Sequence, residues 1–193
     1  DTFAIDEIDK ILPQLIENRD AIFTPIGIES NWDKKMMSWL NKTRSRAREG
    51  IAAPTSLIDV REILDEMRLI KDPDELDVMR RAAKISAEAH VNAMLATKPE
   101  KYEYEIEAEL LYHFKKKGSQ FPAYTSIVAG GKNACVLHYI ENNAVLNEGD
   151  LLLIDAGCEL DGYASDITRT FPVSGKFSGP QRMIYELVLD AQQ

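Results

Sequence analysis

Two cysteines and three histidines are all that 193 residues offer of the side chains that most often hold metals or form disulfides. Cys135 and Cys158 show no C-x-x-C spacing, so neither a zinc ribbon nor a disulfide scaffold is encoded. They could pair in space, but both fall in strand-like segments and read as buried thiols, which suits a reducing compartment and points to the cytoplasm. Excess positive charge is missing too: 23 Lys and Arg stand against 32 Asp and Glu, a formal net charge of -9. That balance argues against nucleic-acid phosphate as a partner, and the cluster KTRSRAR reads instead as the cationic C-terminal end of a helix. No apolar run approaches the ~18 residues of a membrane span, and no secretory signal opens the chain, so no membrane partner is expected. The frame of a phosphate loop is absent around Gly130-Gly131-Lys132, as are a G-x-S-x-G elbow and a cysteine-nucleophile signature.

What is present is an ordinary globular composition, 45% hydrophobic and 28% charged. Trp32, Met36, Trp39 and Leu40 recur at helical spacing between Asn31 and about Arg48, after a brief strand at Ala21 to Thr24. Pro13 is expected near a helix start. GIAAPTS then punctuates the chain, so residues 53–59 are expected to link a region 1–52 to a region 60–193. Asp59-Val-Arg-Glu62 and Asp72-Pro-Asp-Glu75 are capping-box patterns, and the second opens a helix running to about Thr97. Another helix spans roughly Tyr102 to Lys117 and stops at Gly118. Beyond it, TSIVAGG, ACVLHYI, DLLLIDAG and GYASDITRTF read as consecutive strands. Helices followed by a run of strands predict an α+β fold with antiparallel pairing. The chain opens at Asp1 and closes in an amphipathic QRMIYELVLDAQQ with nothing after it to pack against, so it reads as a fragment.

The chemistry concentrates in the strands. Asp155 ends the apolar run LLLID, and Asp166 follows after two glycines, with no Lys or Arg between them. Across one hairpin, two such carboxylates approach within about 5 Å and repel unless a cation lies between them. All-oxygen ligation suits a hard or borderline divalent ion. Two bland alternatives stand beside this: acids of a hairpin turn, or a salt bridge from Asp166 to Arg169 or Arg182. His138, in VLHYIEN, is a candidate acid/base or substrate-contacting group, or a satisfied strand histidine. His90 and His113 lie on helices and are assigned to structure.

At these residues LIDAGCELDGYASDITRTFPVSGKF, preceded by LHYIEN, resembles the catalytic domain of the Xaa-Pro aminopeptidases (aminopeptidase P). These are pita-bread metallopeptidases, akin to prolidase and methionine aminopeptidase. EMRLIKDPDELDVMRRAAKIS resembles the stretch that opens this domain, and residues 1–52 resemble the tail of the family's smaller N-terminal domain. The resemblance implies the pita-bread (creatinase/aminopeptidase) fold with its C-terminal half missing. It implies two divalent metal ions, commonly manganese with cobalt or zinc as alternatives, with Asp155 chelating one and Asp166 bridging both. His138 would contact substrate and steady the tetrahedral intermediate, Tyr124 would line the same pocket, and Thr168 would be a hydroxyl just outside the ligands. The implied partner is a peptide with proline in second position, and the full-length protein is expected to be a homo-oligomer. The family's remaining ligands, a histidine and two glutamates, lie C-terminal of both aspartates. After Asp166 this chain has only Glu186 and Asp190, so it is expected to hold metal weakly and to be inactive as given. Prolidase and a non-catalytic pita-bread interaction module are the competing readings; the latter usually lacks the metal acids.

Overall fold

The computed structural model describes residues 2–192. They divide into two compact units, Asp1–Lys71 and Asp72–Gln193. The first contains α1 (Ile8–Leu15), β1 (Ala21–Thr24), α2 (Ser30–Ser45), β2 (Ser56–Asp59) and α3 (Arg61–Leu69). Its core joins Ile16 to Met36 and Trp39 of α2, and the Trp39 indole donates to Asp9 at 2.7 Å. β2 pairs in parallel with β1, from Ala21↔Ser56 to Thr24↔Asp59. Residues expected to form a linker therefore include a strand, and the units part at Lys71/Asp72, later than the sequence suggested. Three local expectations also shift. Pro13 lies inside α1 rather than at its start. The α2 helix stops at Ser45, and residues 47–49 tighten into a 3-10 turn. Asp59 does not cap α3 reciprocally with Glu62, because its carboxylate is engaged by the backbone and guanidinium of Arg61.

The second unit carries the site. α4 (Pro73–Ala96) begins with the expected capping box: the Asp72 carboxylate accepts from the Asp74 and Glu75 amides at 2.9 Å, and Glu75 accepts from the Asp72 amide at 2.8 Å. Pro73 opens the helix, where its missing N–H costs nothing. α5 (Glu103–Lys116) ends before Gly118, whose φ of 101° lies in the left-handed region that favours glycine. The strands follow: β3 (Phe121–Pro122), β4 (Ile127–Gly130), β5 (Leu151–Ala156), β6 (Cys158–Leu160), β7 (Tyr163–Ala164) and β8 (Ile167–Pro172), then α6 (Gly179–Gln192). They make two three-stranded sheets, β3-β6-β7 and β4-β5-β8, with every pairing antiparallel. The α+β reading with antiparallel pairing holds.

Strand alternation sorts the β4-β5-β8 sheet into two faces. Val128, Leu152, Ile154 and Ala156 point to the helices. There they pack with Ala82, Ile85, Ala89 and Ala93 of α4 and with Ile106, Leu110 and Phe114 of α5. Small residues on α4 let the helix lie close to the sheet. Burying each large member contributes about 1.5–3 kcal/mol, so this face supplies most of the unit's stability. The other face carries Ile127, Leu153, Asp155, Thr168 and Thr170, opposite one another in register.

Gly157 is the hinge between the sheets. A Cβ there would sit 1.6 Å from the Ser165 carbonyl oxygen, so the two legs of the hairpin cross where only glycine fits. Beneath the crossing, Ser165 Oγ lies 2.7 Å from Ser86 Oγ of α4, and both hydroxyls accept from the Cys158 amide. Gly157→Ala is expected to cost about 3 kcal/mol or more, because a backbone overlap cannot relax as a side chain would. Gly179→Ala, with open space around it, is expected to stay within about 0.5 kcal/mol. Denaturant unfolding of the two variants side by side checks this difference.

Candidate active site

The crossing fixes where the acids fall. Asp155 is two residues before Gly157 on β5, and Asp166 follows Ser165 immediately, one residue before β8 begins. The Gly157 carbonyl accepts from the Ala123 amide at 2.9 Å, which brings the next residue, Tyr124, to the same place. Its hydroxyl lies 2.6 Å from Asp155 Oδ1 and 2.8 Å from Asp166 Oδ1. Asp155 and Tyr124 are half-buried and Asp166 is exposed. Neither anticipated arginine neutralises the acids: Arg182 pairs with Glu186 at 2.7 Å, and Arg169 donates to the Thr168 carbonyl.

One phenolic proton thus faces two carboxylate oxygens and can be donated to only one of them. Burial, followed by the hydrogen bonds to Asp155 and Asp166, pushes the Tyr124 hydroxyl far above the ordinary tyrosine range and holds it neutral. Converging oxygen donors, with no Lys or Arg paired to either acid, suit a hard divalent cation. The fit is partial, since no group of three or more His, Cys, Asp or Glu gathers among the described residues.

Thr168 stands directly opposite Asp155 on β8 and is exposed. His138 is not in a strand. Residues 131–135 form a 3-10 turn, and the segment after them is irregular, with φ of 55° at His138 and 44° at Asn142. Its apolar residues mislead, because Leu137 is 86% exposed. What would have been strand pairing is supplied by Asn142, whose side chain accepts from the Val128 amide at 3.0 Å and donates to the Ser126 carbonyl at 2.8 Å. Tyr139, next to His138, packs on Ile127, Ala129 and Leu153, the same sheet face that carries Asp155. The site therefore joins Tyr124, Asp155 and Asp166 directly, while no hydrogen bond among the described residues ties His138 to either acid.

The other two histidines fill structural places. His90 is buried with Nδ1 2.8 Å from the Ser86 carbonyl, and burial pushes its pKa down. His113 is buried between Asn92, at 2.8 Å, and Glu88, at 3.4 Å. Cys158 is a buried free thiol as expected, whereas Cys135 is exposed at the end of the 3-10 turn.

Sequence reasoning missed Glu103. It is 0% exposed at the start of α5, yet no Lys or Arg meets it. Its Oε1 accepts from the Gly130 amide at 2.7 Å and from Asn133 at 3.0 Å. Its Oε2 accepts from the Tyr139 hydroxyl at 2.7 Å and the Ala144 amide at 2.9 Å. Nothing in the sequence separates it from an ordinary acid in a helix's first turn.

Two acids brought together by an antiparallel hairpin and faced by a tyrosine form the polar cluster of this α+β unit. Comparison with known proteins makes this specific. The model of metallopeptidase family M24 matches residues 77–193, and the chain belongs to that family. It is 47% identical over 193 residues to a Xaa-Pro aminopeptidase of Haemophilus influenzae, covering 100% of this chain and 42% of the relative. Superposed on the structure of Pseudomonas aeruginosa aminopeptidase PepP it gives a TM-score of 0.96 at 52% identity, covering 99% of this chain and 43% of that one. Zinc-substituted Escherichia coli aminopeptidase P in complex with product gives 0.93 at 45% identity, covering 97% and 43%. The chain thus has part of the pita-bread fold and spans less than half the length of these relatives.

Tyr139 provides a pH signature. Burial, then its hydrogen bond to Glu103, pushes this phenol up to about 12 from an ordinary 10.0. The fold favours the neutral form, so this stabilisation is complete below pH 10 and is lost as pH rises from 10 through about 12. Tyr139→Phe is expected to flatten the fall in unfolding free energy over that interval by about 2–3 kcal/mol. Tyr124 keeps its own contribution in the variant. Urea titrations at pH 9, 10, 11 and 12 on both proteins measure the difference, of which about half is expected by pH 11.

Proposed function

We propose that this chain is the part of a Xaa-Pro aminopeptidase that supplies two acids of a dinuclear metal site and the substrate-facing His138. The observation that carries the reading is the convergence of Asp155 and Asp166 on one tyrosine hydroxyl, with no Lys or Arg paired to either. Asp155 would hold one ion and Asp166 would bridge two, manganese being the first choice over cobalt and zinc. Divalent ions bound there would supply a water acidic enough to ionise near neutral pH and a polarised scissile carbonyl. The chain's own residues do the rest. Tyr124, held protonated, donates to one carboxylate at a time and lies within hydrogen-bond distance of both. Thr168 borders Asp155 across the strand pair. His138, on the loop beside that face, would donate to the oxyanion as the carbonyl becomes tetrahedral.

A substrate with proline in second position suits a dedicated site, because the bond before proline is a tertiary amide and the residue preceding it is conformationally restricted. Both metal acids are retained, which favours a peptidase over a non-catalytic interaction module. A cytoplasmic location and self-assembly of the whole protein belong to the same proposal. No helix of the described residues is long and apolar enough to cross a membrane.

The test uses the full-length protein, this chain continued to its relatives' length. It is expected to release the first residue of a Gly-Pro peptide with manganese present, and to lose that activity when chelated. Asp155→Asn or Asp166→Asn is expected to lower kcat/KM by more than about 100-fold, beyond what losing an outer-sphere partner costs. The 193 residues alone, with two acids in reach, are expected to bind manganese weakly by calorimetry and to cleave nothing. Brisk manganese-dependent cleavage by the 193-residue chain would overturn that ligand count.

A further inference from the structure

We infer that Glu103 is a positioning residue for His138, acting through the segment 130–144; the role of His138 itself rests on the peptidase reading above. A fully buried carboxylate without a cation is costly, by several kcal/mol, unless donors replace its water. Glu103 has four donors, and all of them come from one stretch of chain: Gly130 and Asn133 before His138, Tyr139 beside it and Ala144 after it. The Glu103 amide also donates to the Ala144 carbonyl at 3.0 Å, so helix and loop are tied in both directions. Among the described residues no donor from elsewhere in the fold uses the carboxylate. A hydrophobic residue at this place would fill the helix–sheet core and leave the loop unfastened.

The loop needs fastening. His138 sits at φ 55°, in the left-handed region that costs a non-glycine residue about 1–2 kcal/mol. Leu137 and Ile140 on either side are exposed, so apolar packing does not hold the turn. Tyr139 is the exception: buried to 6% exposure, it points its hydroxyl at Glu103 while its ring rests on Ile127 and Ala129. With Asn142 laid along β4, the chain is anchored on either side of His138 while His138 itself stays exposed. The geometry separates two jobs: Glu103 sets where the imidazole is, and His138 meets the substrate.

Glu103→Gln turns one acceptor oxygen into an NH2 that meets N–H donors whichever way the amide is flipped. Should that variant fail to fold, Tyr139→Phe deletes one hydroxyl and keeps the ring packing. In the full-length enzyme, Tyr139→Phe is expected to lower kcat about 10-fold with KM changed less than 2-fold, as for a misplaced group that acts in the transition state. On a His138→Ala background the same substitution is expected to add no further loss. Losses that multiply on that background, or that fall on KM, overturn the proposal. A second readout needs no activity. In these 193 residues there are three histidines, so imidazole NMR signals can be assigned by single substitutions. Tyr139→Phe is expected to shift or broaden His138 signals while those of His90 and His113 stay. Unmoved His138 signals overturn the inference. A wild-type protein that cleaves no Xaa-Pro peptide overturns the peptidase reading instead, leaving the NMR result to decide the role of Glu103.

Discussion

The crossing of two backbone legs at Gly157 and Ser165 is the constraint from which the site follows. A carbonyl oxygen where a side chain would begin permits one residue type, and the hydroxyls of Ser86 and Ser165 lock the crossing against α4. From that point the chain has no freedom about the acids. Asp155 is reached two residues back along β5, Asp166 one residue onward, and the amide before Tyr124 docks on the Gly157 carbonyl. The glycine of the D-x-G motif is therefore steric before it is chemical. It lets the carboxylates meet.

Two carboxylate problems are solved in opposite ways within one unit. Glu103 is deeper than either aspartate, yet four neutral donors satisfy it, and no site remains for an ion. The aspartates share one phenolic proton between two acceptors, so their lone pairs stay largely unused. Low dielectric makes a satisfied network rigid and an unsatisfied one eager for a cation. Both arrangements use a tyrosine hydroxyl, and in both burial is the first cause that lifts its pKa. The first builds a loop; the second brings two acids to one hydroxyl.

Much of this was legible because local chemistry and tertiary structure agree. Asp72-Pro73 with Glu75 announces α4, Gly118 closes α5, and the hairpin strands carry β-branched residues between turn signals. The spacing of Asp155 and Asp166 and the D-x-G motif likewise pointed to a shared place. Legibility fails where long-range partners outweigh local propensity. ACVLHYI has a strand's composition, but Glu103 and Asn142 capture the backbone and hydroxyl groups around it, so it coils instead. Ser56–Asp59 looks like linker until β1 is placed beside it, since a parallel partner some 35 residues away leaves no local signal. Glu103 is invisible for the same reason. Its donors lie 27 to 41 positions downstream.

Stability and chemistry are kept on opposite faces of one sheet. The face toward α4 and α5 is apolar and buried along β4 and β5, from Val128 to Leu152, Ile154 and Ala156, which makes those strands rigid. The face bearing Asp155, Thr168 and Thr170 is buried only where Tyr139 covers Ile127 and Ala129, and Thr168 is exposed. Substituting exposed Thr168 there removes few packed contacts, whereas substituting a back-facing neighbour such as Ile154 empties part of the core. Alternation at a period of two thus lets single positions change chemistry without unfolding the scaffold, and lets the scaffold hold repelling acids in place. On the inference drawn above, Glu103 extends this logic to a loop residue. No strand holds His138, and in that inference the buried Glu103 carboxylate, bonded to the chain on either side of it, takes the place that a β-ladder has for Asp155.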